Sequence, residues 1–431
     1  MERFALTDLL AWKHSKNRKP LIIQGARQVG KTWLMKEFGK REFKQLAYIN
    51  FESSVQLRSL FQTDFDINRI LMAIQVESGV KINPDNTLIL LDEIQEAQGG
   101  ITSLKYFHEN APQYHVIAAG SLLGVTLHQQ TSFPVGKVDF LTLRPLTFLE
   151  FLLAMKQDPL VKILQKSDWS LITTFKTKLI DYLRHYYFIG GMPEAVYSFS
   201  RDHDLKQVRT IQTNILTAYE HDFSKHAPAE IVPRIKMLWN SIPAQLSKEN
   251  KKFIYGAVKP GGRAKEFELA LAWLTDCGLV HKVHRITKPS IPLRSYVDLG
   301  AFKLFLLDIG LLTAMGKLDI QTILEGNSLF SEFKGSLTEQ FVLQQLMARK
   351  GSEVFYWSSD TSQAEVDFVI QSEDGVIPIE VKAEENLKAK SLISYSQKFS
   401  PARSIRTSMA DYREESWMTN IPLYAIESTL K

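Results

Sequence analysis

The chain has 431 residues, 45% of them hydrophobic and 23% charged, with a net charge of +5. That length exceeds one ordinary core, so several domains are expected, and the composition excludes a disordered chain. A single cysteine (Cys277), no charged-then-apolar leader, and apolar runs broken by Lys303 and Asp308 point to a cytoplasmic protein with no disulfide framework and no membrane span, while the modest basicity permits nucleic-acid binding without implying it.

Residues 21–23 (LII) read as a short buried strand and 33–38 as the start of a helix. Between them stands GARQVGKT, the strand-loop-helix setting that a phosphate-binding loop requires. Gly25 and Gly30 let the backbone turn its amides inward. Ala26, Arg27, Gln28 and Val29 line the loop, and Trp33 follows it into the helix. Lys31 is expected on the β- and γ-phosphates of ATP and the Thr32 hydroxyl on Mg2+.

A strand at 47–51 (AYINF) is followed by an apolar run, 87–91 (TLILL), that delivers Asp92 and Glu93 to a sheet edge. Asp92 is expected to hold Mg2+ through water and Glu93 to orient and activate the attacking water. An inserted strand together with a glutamate beside the magnesium aspartate suggests the division of ATPases that contains AAA+ proteins and helicases. The next strand, 115–121, ends on Ser121, a candidate sensor of the γ-phosphate or lytic water, or an ordinary turn residue. Arg144, Lys137 and Arg184 are candidate charge stabilisers among which the sequence does not choose.

GARQVGKT, LLDEIQ (90–95), AAGSLLG from Ala118, PLTFLEFL from Pro145, GGMPEAV from Gly190 and KLFLLDIGLL (303–312) together resemble a family of prokaryotic AAA-like ATPases. The resemblance implies a multidomain α/β protein: a P-loop ATPase core with a parallel sheet (1–160), a helical lid (161–228), a winged-helix domain (229–330) and a C-terminal nuclease-like domain (331–431). In the lid, Tyr182, Tyr186, Tyr187 and Phe188 read as core aromatics before the Gly190-Gly191 helix stop.

In the winged-helix segment Lys248, Lys251, Lys252, Lys259, Arg263 and Lys265 gather positive charge ahead of and at the start of its second helix. That helix is itself apolar and carries Glu266 and Glu268, so DNA contact, a protein-docking role and a solvated basic face all stay open.

After Gly335 a helix carrying Glu339 precedes two strand-like runs, 365–370 and 377–382, with Gly375 at the turn between them. Alternation puts Asp367 on one face with Glu365 and Val369, and Phe368 and Ile370 on the other, while Glu380 and Lys382 share a face. Asp367 and Glu380 are placed to chelate Mg2+, Lys382 to orient a water, and Glu339 to add a carboxylate. The pattern resembles the PD-(D/E)xK nuclease fold, whose helix glutamate, aspartate and Glu-x-Lys positions these four residues match. Lys388 and Lys390 stand near enough to touch phosphates.

Two functions are expected to compete. One is a Mg2+-dependent ATPase that processes DNA, its nucleotide state coupled to the nuclease-like domain. The other is an ATP-dependent switch or scaffold that recruits a protein through the winged helix and never cuts. A homo-oligomer is compatible with either.

Overall fold

The computed structural model describes residues 1–120, 133–247, 252–323, 331–359, 364–373, 375–385 and 389–430. Ser121, Lys248, Lys251 and Lys388 lie outside the described residues. The chain divides into two compact units, one of Glu2–Arg144 with Asp276–Gly278, the other of Pro145–Thr275 with Leu279–Lys431.

The first unit is built on five parallel strands, β1 (Leu21–Gln24), β2 (Gln45–Asn50), β3 (Thr87–Asp92), β4 (His115–Ala119) and β5 (Asp139–Thr142), in the order β2-β3-β4-β1-β5. Every residue of β3 is buried, as expected of a parallel strand covered on both faces. Four helices accompany the sheet: α1 (Ala5–Lys13), α2 (Lys31–Glu42), α3 (Ile67–Ser78) and α4 (Gly100–Asn110). Ile67, Ile70, Leu71 and Ile74 of α3 and Ile101, Leu104 and Phe107 of α4 recur at helical spacing, and they bury against Ile49, Ile89 and Leu91 of the sheet. The strand lying between β1 and β3 in the sheet is β4, whereas β2, which comes between them in sequence, sits at the edge.

The second unit begins with the helices α5 (Phe148–Ala154), α6 (Asp158–Gln165), α7 (Trp169–Thr174), α8 (Lys176–Ile189), α9 (Pro193–Asp202), α10 (Leu205–His226), α11 (Val232–Leu246), α12 (Tyr255–Val258) and α13 (Ala264–Asp276). There follow β6 (Val280–Ile286), β7 (Val297–Leu306), α14 (Ile309–Met315), α15 (Ser331–Met347), β8 (Val354–Ser358), β9 (Glu365–Ser372), β10 (Gly375–Val381), α16 (Lys390–Phe399), β11 (Ile405–Ser408), β12 (Arg413–Glu414), β13 (Thr419–Pro422) and α17 (Ile426–Thr429). The eight strands form one sheet in the order β12-β13-β11-β10-β9-β8-β6-β7. No described helix is long and apolar enough to cross a membrane.

The apolar run from Phe302 divides between two elements, since β7 ends at Leu306 and α14 opens at Ile309. Asp308 makes the break: its Oδ1 accepts the Leu311 N–H at 3.1 Å and so caps the helix. Residues 293–296 form a 3-10 turn before β7. On β9, Val369 is buried although it alternates with Asp367, so both faces of that strand are covered there. The sheet also runs across residue 330, since β6 pairs in parallel with β8. The segments expected as separate winged-helix and nuclease-like domains therefore share one backbone-bonded layer.

The stretch expected as a lid packs within this second unit, through a polar knot that joins five segments. Leu146 N–H donates to Gly191 O at 2.7 Å and Gly191 N–H donates to Asp308 Oδ2 at 2.6 Å. Gln344 of α15 donates to that same Oδ2 at 3.0 Å and to the Tyr186 hydroxyl at 2.9 Å, while Tyr186 donates to Leu146 O. Gln212 of α10 donates to Phe188 O and Ile189 O at 2.8 and 2.9 Å. Tyr186, Tyr187 and Phe188 are buried and Tyr182 half-buried.

Candidate functional site

The loop between β1 and α2 owes its shape to two glycines. A Cβ on Gly25 would stand 2.3 Å from the Leu143 carbonyl oxygen, at the end of the strand next to β1. Gly30 caps α2 with φ 93°, a left-handed value that a side chain disfavours, and the helix starts at Lys31 rather than at Trp33. Lys31 is buried and donates to Gly25 O at 3.0 Å and Ala26 O at 2.9 Å, folding over its own loop. Burial lowers its pKa to about 8, with Glu93 and Asp92 opposing the shift and Arg27 adding to it.

Parallel pairing of β1 with β4 and of β4 with β3 brings the end of β3 beside this loop. Thr32 donates to Asp92 Oδ2 at 2.7 Å, and the Tyr48 hydroxyl on β2 donates to the same oxygen at 3.0 Å. Asp92 is buried, and its other oxygen, Oδ1, has no hydrogen-bond partner. Such an orphaned acceptor is costly unless a donor or cation meets it. Glu93 follows in a left-handed backbone conformation (φ 50°, ψ 44°), uncommon for a non-glycine residue, and its Oε2 accepts the Gln95 amide at 2.6 Å. Lys31, Thr32, Asp92 and Glu93 thus converge, and the orphaned Asp92 oxygen beside the Thr32 hydroxyl fits a Mg2+ ion carried in with ATP.

Tyr48 and Gln95 carry signals that sequence reading passed over. Gln95 sits two residues beyond Glu93 in the LLDEIQ run, and Tyr48 alternates with Asn50 as the polar positions of an otherwise apolar strand pattern. Of the candidate charge stabilisers, Lys137 is held by Glu109 at 3.0 Å, Arg144 ends the first unit, and Arg184 belongs to the second.

The C-terminal carboxylates form another cluster. Asp367 Oδ2 accepts the Val381 N–H at 2.8 Å, so the carboxylate takes over from the backbone ladder where the β9–β10 hairpin opens. Lys382 donates to Glu380 Oε1 at 2.6 Å, and Glu380 Oε2 is buried without a partner. Burial raises the Glu380 pKa, with Lys382 opposing. Lys303 of β7, fully buried, lies 2.5 Å from Glu365, 3.8 Å from Glu339 and 3.9 Å from Asp367. Four sequence-predicted residues, Glu339, Asp367, Glu380 and Lys382, are therefore brought into one neighbourhood, together with a lysine that sequence reading treated only as a break in an apolar run. Among the described residues no three His, Cys, Asp or Glu side chains are arranged to hold a metal ion. The expected chelation by Asp367 and Glu380 does not fit this arrangement, because each already has a cation beside it: the buried Lys303 ammonium stands 3.9 Å from Asp367, and Lys382 is bonded to Glu380.

Residues 17–152 match a family described as an AAA domain. That stretch holds the loop and strand ends described above and is similar to AAA domains. Residues 180–322 and 334–426 match two families described as domains of unknown function, DUF8612 and DUF4143. No curated protein matches the chain. The Walker-type ATPase of Pyrococcus abyssi is similar over 73% of this chain and 95% of its own, at 12% identity and TM-score 0.46. The Orc1 protein of Aeropyrum pernix, solved in complex with DNA, is similar over 73% and 90% at 11% identity and TM-score 0.28. For Cdc6p of Pyrobaculum aerophilum the values are 74%, 92%, 11% and 0.25. These likenesses are loose, and the candidate nucleotide site rests on its own geometry.

Proposed function

We propose that the chain is a Mg2+-dependent ATPase whose nucleotide cycle controls a DNA-contacting second unit. The observation that carries the ATPase chemistry is the single carboxylate, Asp92, with Thr32 on one oxygen and an unsatisfied second oxygen, next to Glu93. In this reading Lys31 leaves the carbonyls of Gly25 and Ala26 to meet the phosphates, and the loop amides from Gly25 to Thr32 cradle them. Glu93 takes the proton of the attacking water. Mg2+, when bound with ATP, offsets the charge that gathers on the phosphates. Ser121 keeps its proposed sensor role.

A lysine depressed to about 8 still carries its proton at neutral pH, but above that value it must regain it when phosphate charge arrives. Nucleotide affinity is therefore expected to fall by up to about tenfold per pH unit as pH rises above the Lys31 value, because each binding event then takes up one proton. Titration of a fluorescent ATP analogue across that range measures it. A pH-independent affinity in wild type would mean that Lys31 does not change its protonation on binding.

For the second unit, the order α11, a short bridge at Lys252, α12, α13 and the β6–β7 pair supports a winged helix. Arg263 and Lys265 are exposed at the start of α13, whereas Lys259 is paired with Glu266 at 3.2 Å. Replacing Arg263 and Lys265 by glutamate should weaken DNA binding and reduce the salt slope by about one unit for each phosphate no longer neutralised. Binding titrations at several salt concentrations decide it. An unchanged affinity and slope would favour the protein-docking reading, in which Leu269, 69% exposed on the same helix, offers an apolar surface. The succession α15, β8, β9, β10, α16, β11, with Glu380 and Lys382 at the end of β10, supports a nuclease-like fold for residues 331–431.

A further inference from the structure

In the order of the sheet β7 stands three strands from β9, a separation of about 14 Å if the layer were flat, which a lysine side chain does not span. Lys303 nonetheless meets Glu365 of β9 at 2.5 Å, so the sheet curls and carries its edge strand over the carboxylates. The ammonium is fully buried, with Glu339 and Asp367 at 3.8 and 3.9 Å and the face of Tyr356 5.0 Å from it. Such a charge is tolerated away from water only because several carboxylates surround it. Those carboxylates include two of the positions where a nuclease of this fold would gather its metal ligands. Glu380 Oε1 is already held by Lys382, and Asp367 Oδ2 by the Val381 amide.

We infer that Lys303 is a tethered cation standing in for the divalent metal of the C-terminal carboxylate cluster, which makes the second unit a non-cleaving module. The inference rests on the nuclease-like reading of residues 331–431, and it selects the ATP-dependent switch over the DNA-cutting enzyme. The cation comes from β7, a strand of the segment expected as a separate winged-helix domain, so the site is closed by its neighbour in the same sheet. Two lysines face four carboxylates here: Lys303 and Lys382 against Glu339, Glu365, Asp367 and Glu380. What excludes a metal is therefore occupancy, since a six-coordinate ion needs several converging oxygens and the ammonium lies among them.

The test is Mn2+ binding to the full, nucleotide-free chain, followed by the paramagnetic signal of free Mn2+ and by thermal melting. Wild type is expected to bind no Mn2+ at the cluster and to melt at the same temperature with and without it. Lys303→Met, which keeps an unbranched side chain one atom shorter and removes its charge, should gain a single Mn2+ site and a Mn2+-dependent rise in melting temperature. Both gains should disappear in the Lys303→Met, Asp367→Asn double variant. If Lys303→Met does not fold without metal, Lys303→Gln provides the same comparison, and recovery of folding on adding Mn2+ counts as the gain. Stoichiometric Mn2+ binding by wild type that Asp367→Asn abolishes would overturn the inference and leave the nuclease-like reading standing. Absence of binding in wild type and in both Lys303 variants would overturn the two together, because the carboxylates would then not converge on a cation at all.

Discussion

Glu93→Gln is expected to slow ATP hydrolysis by about 100-fold or more while nucleotide affinity stays close to wild type. Its carboxylate begins one residue past Asp92, on a backbone turned to φ 50°, and Gln95 holds one oxygen at 2.6 Å. An amide at position 93 keeps the size of the side chain but cannot accept the water's proton. Lys31→Ala should behave in the opposite way and lose affinity first, since Lys31 already reaches across the loop to Gly25 O and Ala26 O, where the phosphates would pass. Phosphate release and fluorescent-nucleotide binding measured on the same preparations separate the two effects. Wild-type turnover by Glu93→Gln would remove Glu93 from the role of base and direct attention to Asp92, whose second oxygen is unsatisfied.

The meeting of Lys31, Thr32, Asp92 and Glu93 was readable from sequence because these residues lie in two short local patterns, each at the end of a buried strand. A GARQVGKT loop imposes its own turn, and a strand with an apolar centre such as β3, buried along its whole length, has one place to go. What sequence could not supply was the meeting of distant segments. Tyr48 reaches Asp92 only because β2 and β3 pair in register, with Asn50 opposite Asp92. Lys303 meets Glu365 only because an eight-stranded sheet curls, and in the sequence it reads only as a charge interrupting an apolar run. The middle motifs were visible as patterns without a reason. GGMPEAV, PLTFLEFL and LLDIGLL form the polar knot around Asp308, so they are explained by packing rather than by chemistry on a ligand.

That knot gives the largest expected effect on stability. Asp308→Ala should destabilise the second unit by about 3–5 kcal/mol, a large share of the net stability of an ordinary domain. Asp308 is fully buried and only accepts: Gly191 N–H and the Gln344 amide on Oδ2, Leu311 N–H on Oδ1. Truncation leaves three buried donors without a partner. Asp308→Asn should recover little, because a neutral amide turns one acceptor into a donor that faces donors on either side. Gly191→Ala should be tolerated no better, since its Cβ would stand 2.1 Å from the Leu146 carbonyl oxygen and 2.7 Å from the Leu146 nitrogen, both backbone atoms that cannot swing aside. Gly335→Ala is the control. Nothing lies within 4 Å of a Cβ there, and alanine within α15 should add about 0.5–1 kcal/mol. Urea and thermal melts of the four variants give the ordering. If Asp308→Asn melts with wild type while Gly335→Ala behaves as expected, Asp308 is protonated in the fold and one of the three bonds is made differently; if Asp308→Ala does so as well, the knot does not hold the unit together.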